Sequence, residues 1–241
     1  MENLNKLLSI ARTTEVDAVS VSVIAEYDKS DWSSDAHMTG IFDLLKPASE
    51  KLTSAINRIK AESDLEEKDE QRDKKVRAIY YLLMGFMHHP DTAISSAALQ
   101  VDAVFEHYGV NIVNDSYATE SSLIESLLLE FSKTDLQTAI AALPGLSDLI
   151  TELRNAQTAF GEAQVLFEEE KAKEGTEENA SKIKKEVLSI MNDNLVVYLR
   201  AMIQVDQTKY EVFTTTVAQI IDDMNVIVKK RRKEKEPVSE N

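Results

Sequence analysis

The sequence predicts an all-α protein, an elongated multi-helix bundle of about eight helices. Glycine and proline, which interrupt helices, are rare, with 6 Gly and 4 Pro in 241 residues. Average usage would give roughly 17 glycines and roughly 12 prolines in a chain of this length. Between these few breaks, apolar residues recur every three or four positions, which is the spacing of one helix face. The two observations together predict long helices joined by short loops.

Each helix is predicted from an apolar face and from the residues that begin or end it. Asp91 or Thr92 suits a helix start, because its side-chain oxygen can accept a hydrogen bond from a free backbone N–H. Gly109 suits a helix end, since glycine readily adopts the left-handed conformation. A short helical segment is expected at about 135–143, before the break at 144–145. The predicted helices span about 3–27, 41–63, 66–88, 92–108, 119–131, 146–170, 176–203 and 207–232.

The domain organisation predicted is a single helical domain, 1–232, followed by a disordered tail, 233–241. The domain divides into two similar halves, about 1–110 and 111–232. A shift of 104 residues places apolar positions of the second helix on those of the sixth, for example Ile56 on Phe160. This correspondence suggests an internal duplication.

Composition excludes several classes of protein. The formal net charge of −15 disfavours nucleic acid and anionic membranes as partners. The chain has no cysteine, which excludes disulfides and thiolate chemistry and fits a reducing cytoplasm. Neither a signal peptide nor a membrane span is visible, so the predicted location is cytoplasmic.

The four histidines are the first candidates for metal chemistry. A di-iron bundle requires a carboxylate three residues before a histidine, and His37, His88, His89 and His107 all lack one. Adjacent His88 and His89 would also point about 100° apart on a helix. We therefore interpret that pair as a polar helix end before Pro90.

The charged run 66–73 is a second candidate, for cation binding. Its mixed signs instead favour a solvated helix face held by ion pairs three or four residues apart. The expected pairs are Asp69 with Arg72, Glu70 with Lys74, and Asp73 with Arg77.

Aromatic and basic residues complete the set of candidates. Tyr80, Tyr81 and Tyr198 are expected in the core rather than in a ligand groove. Trp32, alone in a polar loop, is expected to fold back onto the core rather than form a contact hot spot. The basic stretch 229–235 is interpreted as compensating the dipole at a helix end, with RNA or a membrane surface as the alternative.

Three short stretches resemble an uncharacterised family. They are 66–73 in the third helix, 105–109 closing the fourth, and 152–160 inside the sixth. Their order is similar to that of a domain of unknown function of about this length from anaerobic gut bacteria, over roughly 12–230. The resemblance implies an all-helical fold and a bacterial cytoplasmic setting, but no activity, cofactor or catalytic residue.

The sequence thus predicts no catalytic residue, no cofactor-binding residue and no metal ligand. We expect a non-enzymatic interaction or scaffold protein that binds a protein partner or self-associates. The alternative is a small-molecule-binding bundle or an enzyme with a pocket between helices. Such a pocket would gather polar groups such as Asn155, Tyr80 or Arg200.

Overall fold

The computed structural model describes residues 4–174 and 179–235. Every regular element in these residues is helical, which confirms the all-α prediction. The α-helices are α1 (Thr13–Tyr27), α2 (Ala36–Met87), α3 (Thr92–Phe105), α4 (Tyr117–Phe131), α5 (Thr134–Ala141), α6 (Leu146–Glu174), α7 (Ala180–Ser189), α8 (Val196–Val205) and α9 (Gln207–Lys235). A 3₁₀ turn spans Val110–Asn114, and a π-helical turn, Ile190–Leu195, joins α7 to α8.

The prediction of a helix from residue 3 is wrong over residues 4–12, and residue 3 lies outside the described residues. Helix α1 begins at Thr13, where the Glu15 carboxylate accepts a hydrogen bond from the Arg12 N–H at 2.6 Å. Residues 4–8 are non-helical, and a turn follows at 9–10. The apolar spacing of this segment imitates a helix, but its backbone hydrogen bonds go to distant side chains.

The second and third predicted helices form one helix, α2, of 52 residues. Neither Gly nor Pro occurs between Pro47 and Gly85, so nothing in that stretch interrupts the backbone ladder. The helix also begins earlier than predicted, at Ala36, because the Asp35 carboxylate accepts a hydrogen bond from the Met38 N–H at 3.0 Å.

The other helices agree more closely with the sequence. Asp91 accepts a hydrogen bond from the Ala93 N–H at 2.8 Å, as the predicted cap of α3. Gly109 and Gly145 adopt φ of 71° and 83°, which confirms both breaks.

The predicted start of the seventh helix, at 176, lies outside the described residues. Helix α9 runs on to Lys235, so 233–235 are helical rather than a disordered tail, and 236–241 lie outside the described residues.

The chain forms two compact units. Unit 1 takes its described residues from Met1–Ile59 and Glu170–Asn241, and unit 2 is Lys60–Glu169. These units do not divide the chain near residue 110, and the similarity of two halves stays a prediction. Ile56 is partly buried in unit 1 and Phe160 is fully buried in unit 2, whereas Ile59, predicted on the same apolar face as Ile56, is 49% exposed.

The core of unit 1 joins α1, the first part of α2 and helices α7–α9. Trp32 folds back onto this core, as predicted. It is 5% exposed, and its indole N–H donates to the Tyr27 carbonyl at 3.1 Å. The indole ring also packs against Tyr210 and Phe213. The main core of unit 2 joins the end of α2 with α3, α4, α5 and α6.

Candidate functional site

A non-helical segment, residues 4–12, lies in a groove of unit 1. We call it the 4–12 segment, and we define the segment groove by the side chains that bind it: Asn192 and Asp193 of the π turn, Arg200 of α8, and Asp222, Asn225 and Arg231 of α9. Leu4, Leu7 and Ala11 of the segment are buried in the core of unit 1.

Two asparagines bind the segment through its backbone. The Asn192 carboxamide accepts from the Leu7 N–H and donates to the Leu7 carbonyl, both at 2.9 Å. The Asn225 carboxamide accepts from the Leu8 N–H at 2.9 Å and donates to the Lys6 carbonyl at 3.0 Å. A carboxamide offers one acceptor and one donor side by side, which matches the N–H and C=O of an extended peptide. These asparagines therefore replace the neighbouring strand that a sheet would supply.

Two arginines bind carbonyl groups at either end of the segment. Arg200 donates from Nε at 2.9 Å and from Nη2 at 2.6 Å to the Leu4 carbonyl. Arg231 donates to the Ile10 carbonyl at 3.2 Å and forms an ion pair with Glu15 at the start of α1. Hydrogen bonds from a charged donor are stronger than neutral ones, so both ends are held firmly.

The π turn places two groove residues together. A π turn adds a residue to a helix and often occurs at functional positions. Asn192 binds Leu7 from this turn, while Asp193 forms an ion pair with Lys6 at 2.7 Å. On α9, Asp222 accepts a hydrogen bond from the Asn5 side chain at 3.0 Å. The rim of the groove is thus acidic where it meets the segment.

A second polar cluster lies in unit 2, around a fully buried arginine. Arg72 donates to Asp69 at 2.8 Å and to Glu120 at 2.6 Å through Nη2. Its Nη1 donates to the Ser121 hydroxyl at 2.8 Å and to the side-chain Oε1 of Gln157 at 3.1 Å. The prediction of a solvated face for the charged run 66–73 is wrong at Arg72 and Asp73, which are buried, whereas Glu66, Glu67, Glu70 and Gln71 are exposed.

The carboxylates of this cluster outnumber its arginine. Asp69, Asp73 and Glu120 have oxygens within 4.8 Å of one another, so they form a group that could hold a cation. Glu120 Oε1 and Asp73 Oδ1 are buried and have no donor. Burial, with Asp73 nearby, raises the pKa of Glu120 to about 7 in spite of Arg72. A proton on Glu120 would supply the missing donor, while Arg72 supplies the positive charge.

The chain matches one protein family over most of its length. The matched residues are 62–225, and the family is described as one of unknown function. The chain belongs to DUF6261. The match includes the three stretches that carried the resemblance and is shorter than the predicted span of 12–230. No curated protein and no solved structure matches.

The DUF6261 match covers most residues of the segment groove, but neither Arg231 nor the 4–12 segment. Asn192, Arg200 and Asn225 lie within the matched residues, whereas the 4–12 segment lies before them.

None of the described helices is both long and apolar enough to cross a membrane.

Most of the histidines considered for metal chemistry are exposed. His37, His88 and His107 are exposed, and the ring of His37 contacts Tyr198. His89 accepts a hydrogen bond from the Asp91 N–H at 3.1 Å, just after α2 ends.

The polar residues suggested for a pocket have three different environments. Asn155 is exposed, Tyr80 packs against the core of unit 2, and Arg200 binds the 4–12 segment. Tyr81, predicted in the core, is 68% exposed, because it lies on the outer side of α2. Tyr198 is partly buried in unit 1.

Tyr198 and Tyr210 both donate to Asp35. Burial disfavours the Asp35 carboxylate, but hydrogen bonds from Tyr210, the Met38 N–H and Tyr198 outweigh it and lower its pKa. Burial and the bond to Asp35 raise the pKa of Tyr210 well above its usual range. Both tyrosines are thereby neutral donors that fix the start of α2.

The sequence contains a pattern that could have identified two of the residues that were not predicted, Arg72 and Asn225. Arg72 continues the three-to-four spacing of Val76, Ile79 and Leu83, and Asn225 lies between Ile221 and Val228 on the buried side of α9. Polar residues at such positions indicate buried hydrogen bonds.

The three predicted ion pairs are present, Asp69–Arg72, Glu70–Lys74 and Asp73–Arg77.

Proposed function

We propose that this protein is a non-enzymatic interaction protein and that unit 1 acts by holding an extended stretch of polypeptide. The observation that supports this most directly is the set of backbone hydrogen bonds between the 4–12 segment and the side chains of Asn192, Arg200 and Asn225. Peptide-recognition sites take affinity from such main-chain bonds and selectivity from alternate side-chain pockets.

The side chains of the segment supply the selectivity. Leu4 and Leu7 fill apolar positions, while Lys6 meets Asp193 on the rim. The preferred peptide is therefore extended, apolar at the first and fourth positions, and basic at the third. A polypeptide suits this acidic protein better than nucleic acid, because a net charge of −15 repels a phosphate backbone. The lack of cysteine favours a reducing compartment such as the cytoplasm.

The test uses the full chain with its own segment released. In the double variant Leu4→Asp/Leu7→Asp, two buried positions acquire charge, so the segment leaves the groove while every groove residue stays unchanged. A fluorescent peptide of residues 1–12 should then bind saturably, as measured by anisotropy. Circular dichroism of the variant establishes that the helices are intact.

Two controls identify the binding site. Adding Asn192→Ala to the released variant should weaken peptide binding, whereas adding Asn194→Ala, at an exposed position of the same π turn, should leave it unchanged. Absence of binding to a folded released variant, or equal effects of the two asparagine changes, would refute the proposed function.

A further inference from the structure

We infer that the segment groove also accepts the 4–12 segment of a second copy of this chain, so that two copies exchange segments and form a dimer. This inference rests on the proposed function of the groove. It concerns the partner that fills the groove.

The 4–12 segment is held by residues far from it in the chain. The carbonyls of Leu4, Lys6 and Leu7 and the N–H groups of Leu7 and Leu8 bond to residues at least 185 positions later. None of these bonds goes to α1, to which the segment is joined. The segment can therefore leave one groove and enter another while keeping the same partners, as in other exchanges of an element between identical chains.

A short turn between residues 4–8 and Ala11 can act as a hinge. Residues 9–10 form a turn closed by a hydrogen bond from the Ala11 N–H to the Leu8 carbonyl at 3.0 Å. Ser9 and Ile10 are exposed and border an open cleft of about 530 Å³ with α7. Extending this turn breaks that hydrogen bond and disturbs the one from Arg231 to the Ile10 carbonyl. Leu4 and Leu7 leave one core and enter the equivalent core of the second copy. Residues 4–8 would then move while Ala11 stays in the core of its own copy.

Charge complementarity also favours a second copy as the occupant. Lys6 is the one charged residue among the moving residues 4–8, although the chain as a whole has a net charge of −15. The groove presents Asp193 to Lys6. A second copy offers the same apolar segment with its single cation to the same carboxylate, and opposite charges across an interface favour the correct partner.

Concentration decides between the closed monomer and the exchanged dimer. The contacts of the segment are the same in both states, so the difference is the cost of association and the single turn at 9–10. A short tether gives the chain's own segment an effective concentration in the millimolar range. The closed monomer should prevail when the protein is dilute, and exchange should increase as the protein is concentrated.

The test exploits the absence of cysteine. The full-length variants Asn5→Cys and Asp222→Cys each carry one thiol, at two positions whose native side chains are 3.0 Å apart. The two variants are mixed at high concentration and treated with a short bismaleimide cross-linker. Only exchange brings the thiol at position 5 of one copy beside the thiol at position 222 of another, so a covalent heterodimer is expected on a denaturing gel.

The matched control is Asp223→Cys, an exposed position adjacent to Asp222 on α9 but turned about 100° away. Heterodimer yield with Asn5→Cys should be several times lower for this variant. Deleting Ser9 and Ile10 from the full chain should move the equilibrium towards dimer in light scattering, because the segment can no longer fold back into its own groove.

The outcomes separate the two proposals. Equal cross-linking at 222 and 223, or a monomer at every concentration even after the hinge deletion, overturns the exchange. If the fluorescent peptide still binds the released variant, the proposed function stands without exchange. If the peptide does not bind, both fail together.

Discussion

The guanidinium carbon of Arg72, on α2, lies 3.7 Å from the centre of the Phe160 ring, on α6. Both side chains are fully buried. The ring covers one face of the cation and excludes water from the ion pairs that Arg72 makes with Asp69 and Glu120. Removing the cation alone would leave buried carboxylates without compensation, so this change should cost unit 2 far more than the loss of a surface ion pair does.

Replacing Arg72 tests that contribution. The change Arg72→Met leaves the buried carboxylates of Asp73 and Glu120, and the half-buried one of Asp69, without their cation. We expect a loss of about 3–5 kcal/mol in the free energy of unfolding, measured by urea denaturation. The control is Lys74→Met, which removes an exposed ion pair with Glu70 and should cost about 0–1 kcal/mol. Similar losses for the two variants would contradict the prediction.

The stability of the protein should fall as the pH rises from about 4.5 to 7 because of Glu120. Its pKa is about 7 in the folded chain and near 4.5 when exposed, so the folded state holds a proton that the unfolded state releases in this range. The stabilisation is complete below pH 4.5 and is lost as pH passes 7. Its full size is about 3 kcal/mol, at 1.36 kcal/mol per pKa unit.

The change Glu120→Gln should remove most of this slope. A glutamine stays neutral at every pH and its amide can donate to Asp73, so it imitates the protonated acid. Urea denaturation at a series of pH values gives the measurement. Glu125→Gln, on the exposed side of α4, is the control and should keep the slope. If the pH slope persists in Glu120→Gln, groups other than Glu120 cause it.

Asn192 should stabilise the 4–12 segment through its two hydrogen bonds to Leu7. The change Asn192→Ala leaves the Leu7 N–H and carbonyl without these partners, and we expect a loss of about 1–3 kcal/mol. Hydrogen exchange at the Leu7 and Leu8 amides should accelerate. Asn194→Ala should change neither quantity. Unaltered protection of both amides in Asn192→Ala would show that the segment is held by other contacts.

Ile56 and Phe160, equivalent under a shift of 104 residues, should differ in their contributions. Phe160→Ala removes a fully buried ring that also covers Arg72, and should cost about 3–5 kcal/mol. Ile56 is only partly buried, so Ile56→Ala should cost about 1–2 kcal/mol, in proportion to the area that it buries. Denaturant unfolding of the two variants gives the comparison, and equal losses would contradict the burial that the structure assigns.

Local physical chemistry explains why most helices could be predicted from the sequence. Helix hydrogen bonds join residues four apart, and the residues that cap or end a helix act on neighbouring backbone groups. The cap at Asp91 and the left-handed glycines at 109 and 145 could therefore be predicted without the structure. The division between the second and third helices was wrong, because a charged run does not interrupt a backbone ladder that lacks glycine and proline.

The partners of the 4–12 segment and of Arg72 are set by the tertiary structure and could not be predicted from the sequence. The spacing of Leu4, Leu7 and Ala11 fits a helix, yet this segment is non-helical because Asn192 and Asn225 supply backbone partners from at least 185 residues away. Likewise, Arg72 lies in a run that suits a solvated face, but Glu120 and Gln157 from α4 and α6 enclose it. Periodicity reports which side of a helix is buried. It does not report which distant side chain will meet a polar group there, since that depends on how the helices pack.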